Sequence, residues 1–227
     1  MTHKGPKIIA LSAAVLLAVV GTLGLATANP PADGDTKHQN NSAAKASVDA
    51  SIEQANLAAA PPSTEQVDAG KKAFIEVAKV LQSPRCMNCH PVGDRPLQTD
   101  ESHPHAYNIS RESIEAGMAC STCHREQNSE AVGVAGGPPG APHWGLPPKE
   151  MPMVFQGLTP TQLCAQLKTP STNGNKTLQG LLEHVSHDPL VKWGWNPGGE
   201  RTKPPLSHED FVAQFKTWVD SGGACPE

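Results

Sequence analysis

The sequence predicts a mainly α-helical, loop-rich fold for residues 63–227, and three observations support this. Apolar residues recur at helical spacing in several short segments, and capping residues precede them, as Ser63 and Gln66 do for the first. Strand patterns, in which apolar and polar residues alternate, are nearly absent. Glycine and proline supply 11 of the 20 residues from 133 to 152, so no regular element is expected in that segment.

Residues 1–28 have the features of a secretory signal peptide. Lys4 and Lys7 form a positively charged start, residues 8–26 are almost entirely apolar, and a small-x-small cleavage pattern follows. The apolar segment is longer than an ordinary signal core, so an uncleaved membrane anchor stays an alternative. An exported chain enters a compartment in which disulfides form.

Residues 29–62 predict a disordered linker, because they are rich in Ala, Asn, Ser, Asp and Pro and lack sustained apolar periodicity. Removal of residues 1–28 takes away Lys4 and Lys7 and no acidic residue, which leaves 16 basic and 22 acidic side chains. This balance argues against a nucleic-acid partner and suits a protein partner with a positive docking surface. Contact with a membrane is expected only if the N-terminal segment stays attached.

Two motifs of the form C-x-x-C-H organise the predicted domain. This spacing is the attachment signature of a c-type haem, in which both thiols bind the porphyrin and the adjacent histidine takes one axial position on the iron. The two cysteines of a motif lie on one side of a helical turn, where they match the two edges of a porphyrin. The motif residues are Cys86, Cys89 and His90 in the first, and Cys120, Cys123 and His124 in the second.

Two other kinds of site use C-x-x-C pairs. Two pairs can form a tetrahedral zinc site, and a single pair can be a dithiol redox centre. A zinc ribbon does not need a histidine after each pair, and the 30 residues between Cys89 and Cys120 exceed its usual spacing. We therefore expect two covalent haem c cofactors.

On these two motifs the chain resembles dihaem c-type cytochromes. The resemblance implies haem attachment outside the bacterial cytoplasmic membrane, hence a periplasmic location, and electron transfer as the default role. The segment between the motifs is too short to hold a complete second domain, so we expect one compact dihaem unit in preference to two tandem domains. Apolar residues make up only 37% of the chain, and two flat macrocycles would help to fill such a thin core.

Five helical segments are predicted around the motifs. The first begins at Ser63 and stops at residues 83–84, so it leads directly into Cys86. A short helix in 111–118 leads into Cys120. Three more follow the Gly/Pro-rich segment, each with a capping residue and one apolar face, in 159–169, 177–186 and 207–220.

The sixth ligands of the two irons are candidates drawn from the remaining histidines and methionines. The chain has ten histidines, more than ordinary usage. His105 follows the first motif closely enough to fold back over either haem, and His184 lies among leucines on a predicted helix. We select His105 and His184, with Met153 or His143 as substitutes. A hydrogen-bonded core histidine is the alternative interpretation of His184.

Two cysteines remain once the motifs are assigned. Cys164 and Cys225 are predicted to form a disulfide that closes a long C-terminal loop and pins the last helix to the helix that bears Cys164. The alternative is two free, buried thiols, because free cysteine is also a common small core residue.

A narrower resemblance covers most of the predicted domain. The chain is similar to small exported dihaem proteins that accompany molybdopterin hydroxylases of the isoquinoline oxidoreductase type. This implies that the chain receives electrons from a molybdopterin-dependent oxidoreductase and passes them toward the respiratory chain, without being the hydroxylase itself. The segments that carry the resemblance are 85–91, the second motif, 140–144, 193–195 and 225–226.

An enzyme is the main alternative to an electron carrier. Dihaem cytochrome c peroxidases keep one haem open to hydrogen peroxide, but they resemble two fused cytochrome domains with motifs much farther apart. A haem-based gas sensor is a third class, although no signalling domain accompanies the motifs. The sequence therefore favours a carrier, with no catalytic residue assigned.

Overall fold

Short helices joined by loops make up most of the computed structural model, which describes residues 61–129 and 137–227. The mainly α-helical prediction is confirmed for these ranges. The signal peptide predicted for 1–28 and nearly all of the predicted linker lie outside them. The helices are α1 Thr64–Leu81, α2 Pro84–Met87, α3 Arg111–Glu115, α4 Pro160–Lys168, α5 Pro170–Asn173, α6 Leu178–His187, α7 Pro189–Trp193 and α8 His208–Asp220.

The segment between the two motifs contains the strands β1 (Leu97–Gln98) and β2 (His103–Pro104). They pair antiparallel, with Leu97 opposite Pro104. Single 3-10 turns follow at Ala106–Asn108 and Cys120–Thr122. This small hairpin turns the chain back between the first motif and the second.

Helix α1 begins where the capping pattern predicts. The Ser63 Oγ accepts a hydrogen bond from the Gln66 backbone N–H at 3.2 Å, and the Gln66 Oε1 accepts one from the Ser63 N–H at 2.8 Å. This reciprocal pair satisfies two N–H groups that a helix start otherwise leaves without partners. The helix ends at Leu81, and Pro84 then opens α2, which contains Cys86. The first motif is therefore joined directly to the longest described helix.

The core forms where α1 packs against α8, with α4 and α6 beside them. Phe74 of α1 and Trp218 of α8 are completely buried, and their ring centroids lie 4.9 Å apart. Gly70 permits this close approach, since a Cβ there would stand 2.0 Å from the Ser221 Oγ. The aromatic core continues through Phe215, whose ring lies 5.1 Å from Trp218.

The predicted disulfide between Cys164 and Cys225 is confirmed. Cys164 lies fully buried on α4, and Cys225 follows α8. The bond spans 61 residues of sequence, and a cross-link over such a loop is expected to stabilise the fold by restricting the unfolded chain. It fixes the C-terminus to the core that supports the first motif.

The helix predicted for 111–118 is shorter than expected. Helix α3 ends at Glu115, because Gly117 adopts a left-handed φ of +102° that ends the helix. The described residues belong to one compact unit, Ala58–Glu227, and the predicted domain start at Ser63 stays a prediction. Within residues 61–129 and 137–227, no helix combines the length and apolar character that crossing a bilayer requires.

Candidate functional site

The first motif lies at the C-terminal end of α2, where His90 is held from two directions. The His90 Nδ1 lies 2.8 Å from the carbonyl oxygen of Met153. Its ring stacks on Phe155, with centroids 4.0 Å apart and planes 18° from parallel. The Phe155 backbone N–H also donates to the His90 carbonyl at 2.8 Å. The segment around Phe155 therefore fixes both the backbone and the ring of His90.

The second motif lies in a loop and repeats this arrangement with different residues. The His124 Nδ1 lies 2.7 Å from the carbonyl oxygen of Pro139. Its ring stacks on Trp144, with centroids 4.6 Å apart and planes 4° from parallel. Two histidines at equivalent motif positions thus have a backbone carbonyl on Nδ1 and an aromatic ring against one face.

These contacts fix which nitrogen of each imidazole carries the proton. A carbonyl oxygen only accepts, so the Nδ1 of His90 and of His124 carries the proton and donates. The neutral ring then has its lone pair on Nε2. Metal-binding histidines characteristically donate their other N–H to a carbonyl or carboxylate in this way. Both motif histidines are therefore prepared to ligate through Nε2.

The motif cysteines are free thiols. Burial raises the pKa of Cys86 to about 12 against an opposing hydrogen bond from Ser83, and burial followed by the nearby Cys120 raises the pKa of Cys89 to about 11. A dithiol redox centre needs a lowered thiol pKa, so these thiols do not fit that alternative.

The residues fit the cofactor that the motifs imply. Each site offers two thiols beside one imidazole with an open Nε2, the donor set that covalent haem attachment uses. A cavity of about 620 Å³ adjoins the second motif and is lined by Cys123, His124 and Asn128, a size typical of cofactor pockets. A tetrahedral zinc site needs four converging ligands, and within the described ranges no three His, Cys, Asp or Glu side chains converge on one point.

Of the two histidines selected as sixth ligands, His105 lies near a motif histidine. The ring centroid of His105 is 6.0 Å from that of His124, and its Nδ1 is also bonded to a carbonyl, that of Ala106 at 2.8 Å. Burial lowers the pKa of His90 to about 4 against the Met153 hydrogen bond, and the neighbouring His184 and Arg111 lower it further. His105 and His184 remain predictions as ligands.

The sequence interpretation of His184 needs one refinement. Its side chain is 40% exposed and its Nδ1 lies 3.4 Å from the Asp188 carboxylate, one helical turn away. It therefore lies at the edge of the core, whereas the leucines around it suggested a fully inward position. Of the substitutes, His143 is exposed, and Met153 contributes its backbone carbonyl to His90.

Asn128 is a site residue that the sequence did not reveal. Its Oδ1 accepts from the Trp193 indole N–H at 2.8 Å and from the Gly140 N–H at 3.1 Å, and its Nδ2 donates to the Asn196 carbonyl at 2.9 Å. Gly140 follows Pro139, so Asn128 holds in place the carbonyl that bonds His124. An asparagine four residues after the motif was the only available signal, and it is too common to interpret.

Glycine is required at position 140 for a related reason. A Cβ there would lie 2.3 Å from the Gln127 carbonyl oxygen and 2.4 Å from that of Arg125. The backbone of 139–140 therefore presses directly on the chain that leaves the second motif. This close approach brings the Pro139 carbonyl within hydrogen-bond reach of His124.

An ion pair supports the first motif from the other side. The Arg85 guanidinium is buried beside Cys86 and pairs with the Asp100 carboxylate, which also accepts from the Thr202 backbone N–H at 3.0 Å. The Arg85 guanidinium also lies 6.0 Å from the centre of the Trp193 ring. Trp193 in turn contacts Trp144 edge to face at 4.7 Å. A continuous chain of contacts thus links the two motif sites.

Comparison of the chain with known proteins finds no relative. No protein-family model, no curated protein and no solved structure matches the chain. The resemblance to dihaem c-type cytochromes therefore depends on the motif residues, and the function is inferred from how the structure arranges them.

Proposed function

We propose that this chain is an exported electron-transfer protein that carries two covalent haem c groups in one helical unit. The observation that carries the proposal is the repeated environment of His90 and His124. Each donates Nδ1–H to a backbone carbonyl, stacks on an aromatic ring and leaves Nε2 open beside two free cysteines. One such histidine could serve packing alone, but two at equivalent motif positions favour a shared ligand role.

The motif residues divide the work of holding the cofactors. Cys86 and Cys89 form the thioether bonds of the first site, and their counterparts in the second motif form those of the second. A covalently bound haem supplies a one-electron iron couple. Met153 and Pro139 orient the two proximal imidazoles through their carbonyls, and Phe155 and Trp144 limit rotation of the rings.

The neighbouring histidines favour a carrier over a peroxidase. His105, whose ring centroid lies 6.0 Å from that of His124, would supply a second protein ligand at the second site, and His184 is the proposed counterpart at the first. Two protein ligands leave no position for peroxide. The contacts that join the two sites through Arg85, Trp193 and Trp144 support electron exchange between them within the molecule.

The partner follows from the narrower resemblance. We infer that a molybdopterin-dependent oxidoreductase in the periplasm donates electrons to the chain, which passes them toward the respiratory chain. The excess of acidic over basic side chains supports docking on a positively charged partner surface. Electrostatic docking of this kind weakens as ionic strength rises, so electron transfer between the two proteins should slow in high salt.

Haem stoichiometry tests the proposal most directly. The full chain is expressed in a host competent for cytochrome maturation, denatured in acid and extracted with organic solvent. Two haems per polypeptide should remain attached, as measured by intact mass and by the alkaline pyridine spectrum. A polypeptide that loses all its colour, or that carries zinc, contradicts the proposal.

Ligation separates the carrier from the peroxidase. Near-infrared magnetic circular dichroism of the oxidised protein should show two low-spin irons with two protein ligands each, bis-histidine if His105 and His184 ligate. Rapid, stoichiometric carbon monoxide binding to the reduced protein, together with peroxide turnover, would instead identify an open haem. Replacing His105 with Met and His184 with Met in separate variants should each change the spectrum of one iron.

A further inference from the structure

Arg111 is a buried cation that ties together two segments of the first site. It begins α3, is 5% exposed, and its backbone N–H donates to the Asp94 carbonyl at 2.9 Å. Its guanidinium donates from Nη1 to the Gly93 carbonyl at 2.8 Å and from Nε to the Pro147 carbonyl at 3.0 Å. The side chain thus joins the loop after His90 to the Gly/Pro-rich segment that leads to Met153.

One nitrogen of this guanidinium makes no hydrogen bond to the described residues. The Arg111 Nη2 is buried and has no hydrogen-bond partner in the part of the chain that the structure describes. The nearest anion is the half-exposed Asp94 carboxylate, 3.5 Å from Nη1, at the outer limit of a hydrogen bond. A buried charge that is incompletely paired is costly, so a further anion beside Nη2 would stabilise this arrangement.

The first haem would bring such an anion to this place. The Arg111 Nη1 bonds the Gly93 carbonyl, three residues after His90, and its backbone N–H bonds the Asp94 carbonyl, so Arg111 lies against the loop that leaves the first motif. Haem carries two propionate groups, and the planar guanidinium is the side chain best suited to binding a carboxylate. Two carbonyls hold Nη1 and Nε, and Nη2 is left for a further acceptor.

We propose that the Arg111 Nη2 donates a hydrogen bond to a propionate of the haem held by the first motif, and that this fixed positive charge raises the reduction potential of that haem. The inference rests on the proposed function. A cation fixed in a site of low dielectric favours the iron state with one more electron. Arg111 is a positioning residue, since it acts on the iron through the propionate.

Redox titration of Arg111→Gln tests the inference. The wild-type chain is first shown to hold two haems, and its two one-electron waves are recorded by spectroelectrochemistry. In Arg111→Gln we expect one wave to move to lower potential by about 59 mV. This shift corresponds to a tenfold decrease in the equilibrium constant of a one-electron reduction. The other wave should stay in place, and Arg111→Lys, which keeps the charge, should shift the first wave less.

Two further variants serve as controls. Lys79→Gln removes an exposed cation that pairs with Glu76, and it should leave both waves unchanged. Asp94→Asn removes the weak carboxylate partner and leaves Arg111 more strongly positive, so it should move the same wave in the opposite direction. Asp94→Asn also keeps the test usable if Arg111→Gln fails to fold.

The outcomes separate the two proposals. A wild-type chain without covalent haem refutes the proposed function. A chain with two haems in which Arg111→Gln leaves both waves unchanged, or shifts them equally, refutes the role of Arg111. If Arg111→Gln does not fold, an unchanged wave in Asp94→Asn refutes that role.

Discussion

The two motif sites give their histidines nearly the same surroundings by different means. The residues of the first motif are all buried or half-buried, and His90 stacks on Phe155, which is 4% exposed and part of the core. In the second motif Cys123 and the two residues before it are exposed, and His124 stacks on the half-buried Trp144. Equivalent contacts of the two imidazoles therefore do not require equivalent packing.

This difference shows what each site depends on. The first site takes its rigidity from α1 and the core below it, because Cys86 packs against the core cluster. The second site depends on loops that Asn128 and Gly140 hold together. We expect changes at the first site to affect the stability of the whole unit, and changes at the second to stay local.

Removal of each pair of motif cysteines should show the largest contrast. Cys86→Ala with Cys89→Ala opens the core beside α1, and we expect a loss of about 4 kcal/mol or more in unfolding free energy. Cys120→Ala with Cys123→Ala should cost about 1–2 kcal/mol and yield a folded chain with one haem, because this site is largely exposed. Thermal unfolding and haem content measure both, and equal losses would contradict the comparison.

Truncation of the stacking rings should give a smaller contrast. Phe155→Ala leaves a cavity in the core and should cost about 3–4 kcal/mol, whereas Trp144→Ala at a half-buried position should cost about 1–2 kcal/mol. Each variant should broaden the spectrum of its own iron only. If chemical denaturation showed a larger loss of unfolding free energy for Trp144→Ala than for Phe155→Ala, the second site and not the first would be the one that depends on the core.

Gly140→Ala should disturb the second site alone. The added Cβ meets two backbone carbonyls, and the strain should cost about 1–3 kcal/mol and move the Pro139 carbonyl away from His124. Gly145→Ala is the matched control, since its nearest contact, at 3.7 Å, is ordinary. Magnetic circular dichroism should change for one iron in Gly140→Ala and for neither in Gly145→Ala. Identical spectra for the two variants would show that Pro139 does not orient His124.

The smallest expected effect concerns the pH dependence of stability. Hydrogen bonds from Thr202, together with Arg85 and Arg201, lower the pKa of Asp100 despite partial burial. A lowered folded-state pKa stabilises the fold above the ordinary aspartate pKa, and this contribution is lost as the pH falls through the lower folded-state value. Asp100→Asn should therefore remove about 1 kcal/mol near pH 6 and progressively less in stronger acid.

The control for this prediction is an exposed carboxylate. Asp68→Asn on α1 should leave the unfolding free energy nearly unchanged in chemical denaturation, both near pH 6 and in stronger acid. If Asp100→Asn and Asp68→Asn gave the same pH profile, the link that Asp100 makes between Arg85 and Thr202 would be energetically irrelevant.

Much of the helical fold was predictable because its signals are local. Ser63, Thr159 and Ser207 each accept from a backbone N–H three residues on, and their helices begin where the capping patterns place them. For the helix between the motifs the predicted end was wrong, because the pattern did not reveal that Gly117 adopts a left-handed conformation. Because a capping bond joins residues three positions apart, the start of a capped helix can be predicted from the sequence alone.

The surroundings of the motif histidines were not predictable in the same way. Met153 lies 63 residues from His90, in a segment rich in glycine and proline that has no periodicity to read. Asn128 joins Trp193 and Gly140, which lie 65 and 12 residues away. His105 could be selected from the sequence, but only the fold places it beside His124.

The sequence by itself contained the two C-x-x-C-H motifs and predicted the starts of the capped helices and the pairing of Cys164 with Cys225, since these predictions follow from short-range patterns and from counting cysteines. The tertiary structure decided which carbonyl and which ring hold each motif histidine, and where the buried Arg111 points. Those contacts join residues far apart in the chain, and only the packing of loops onto the α1–α8 core brings them together.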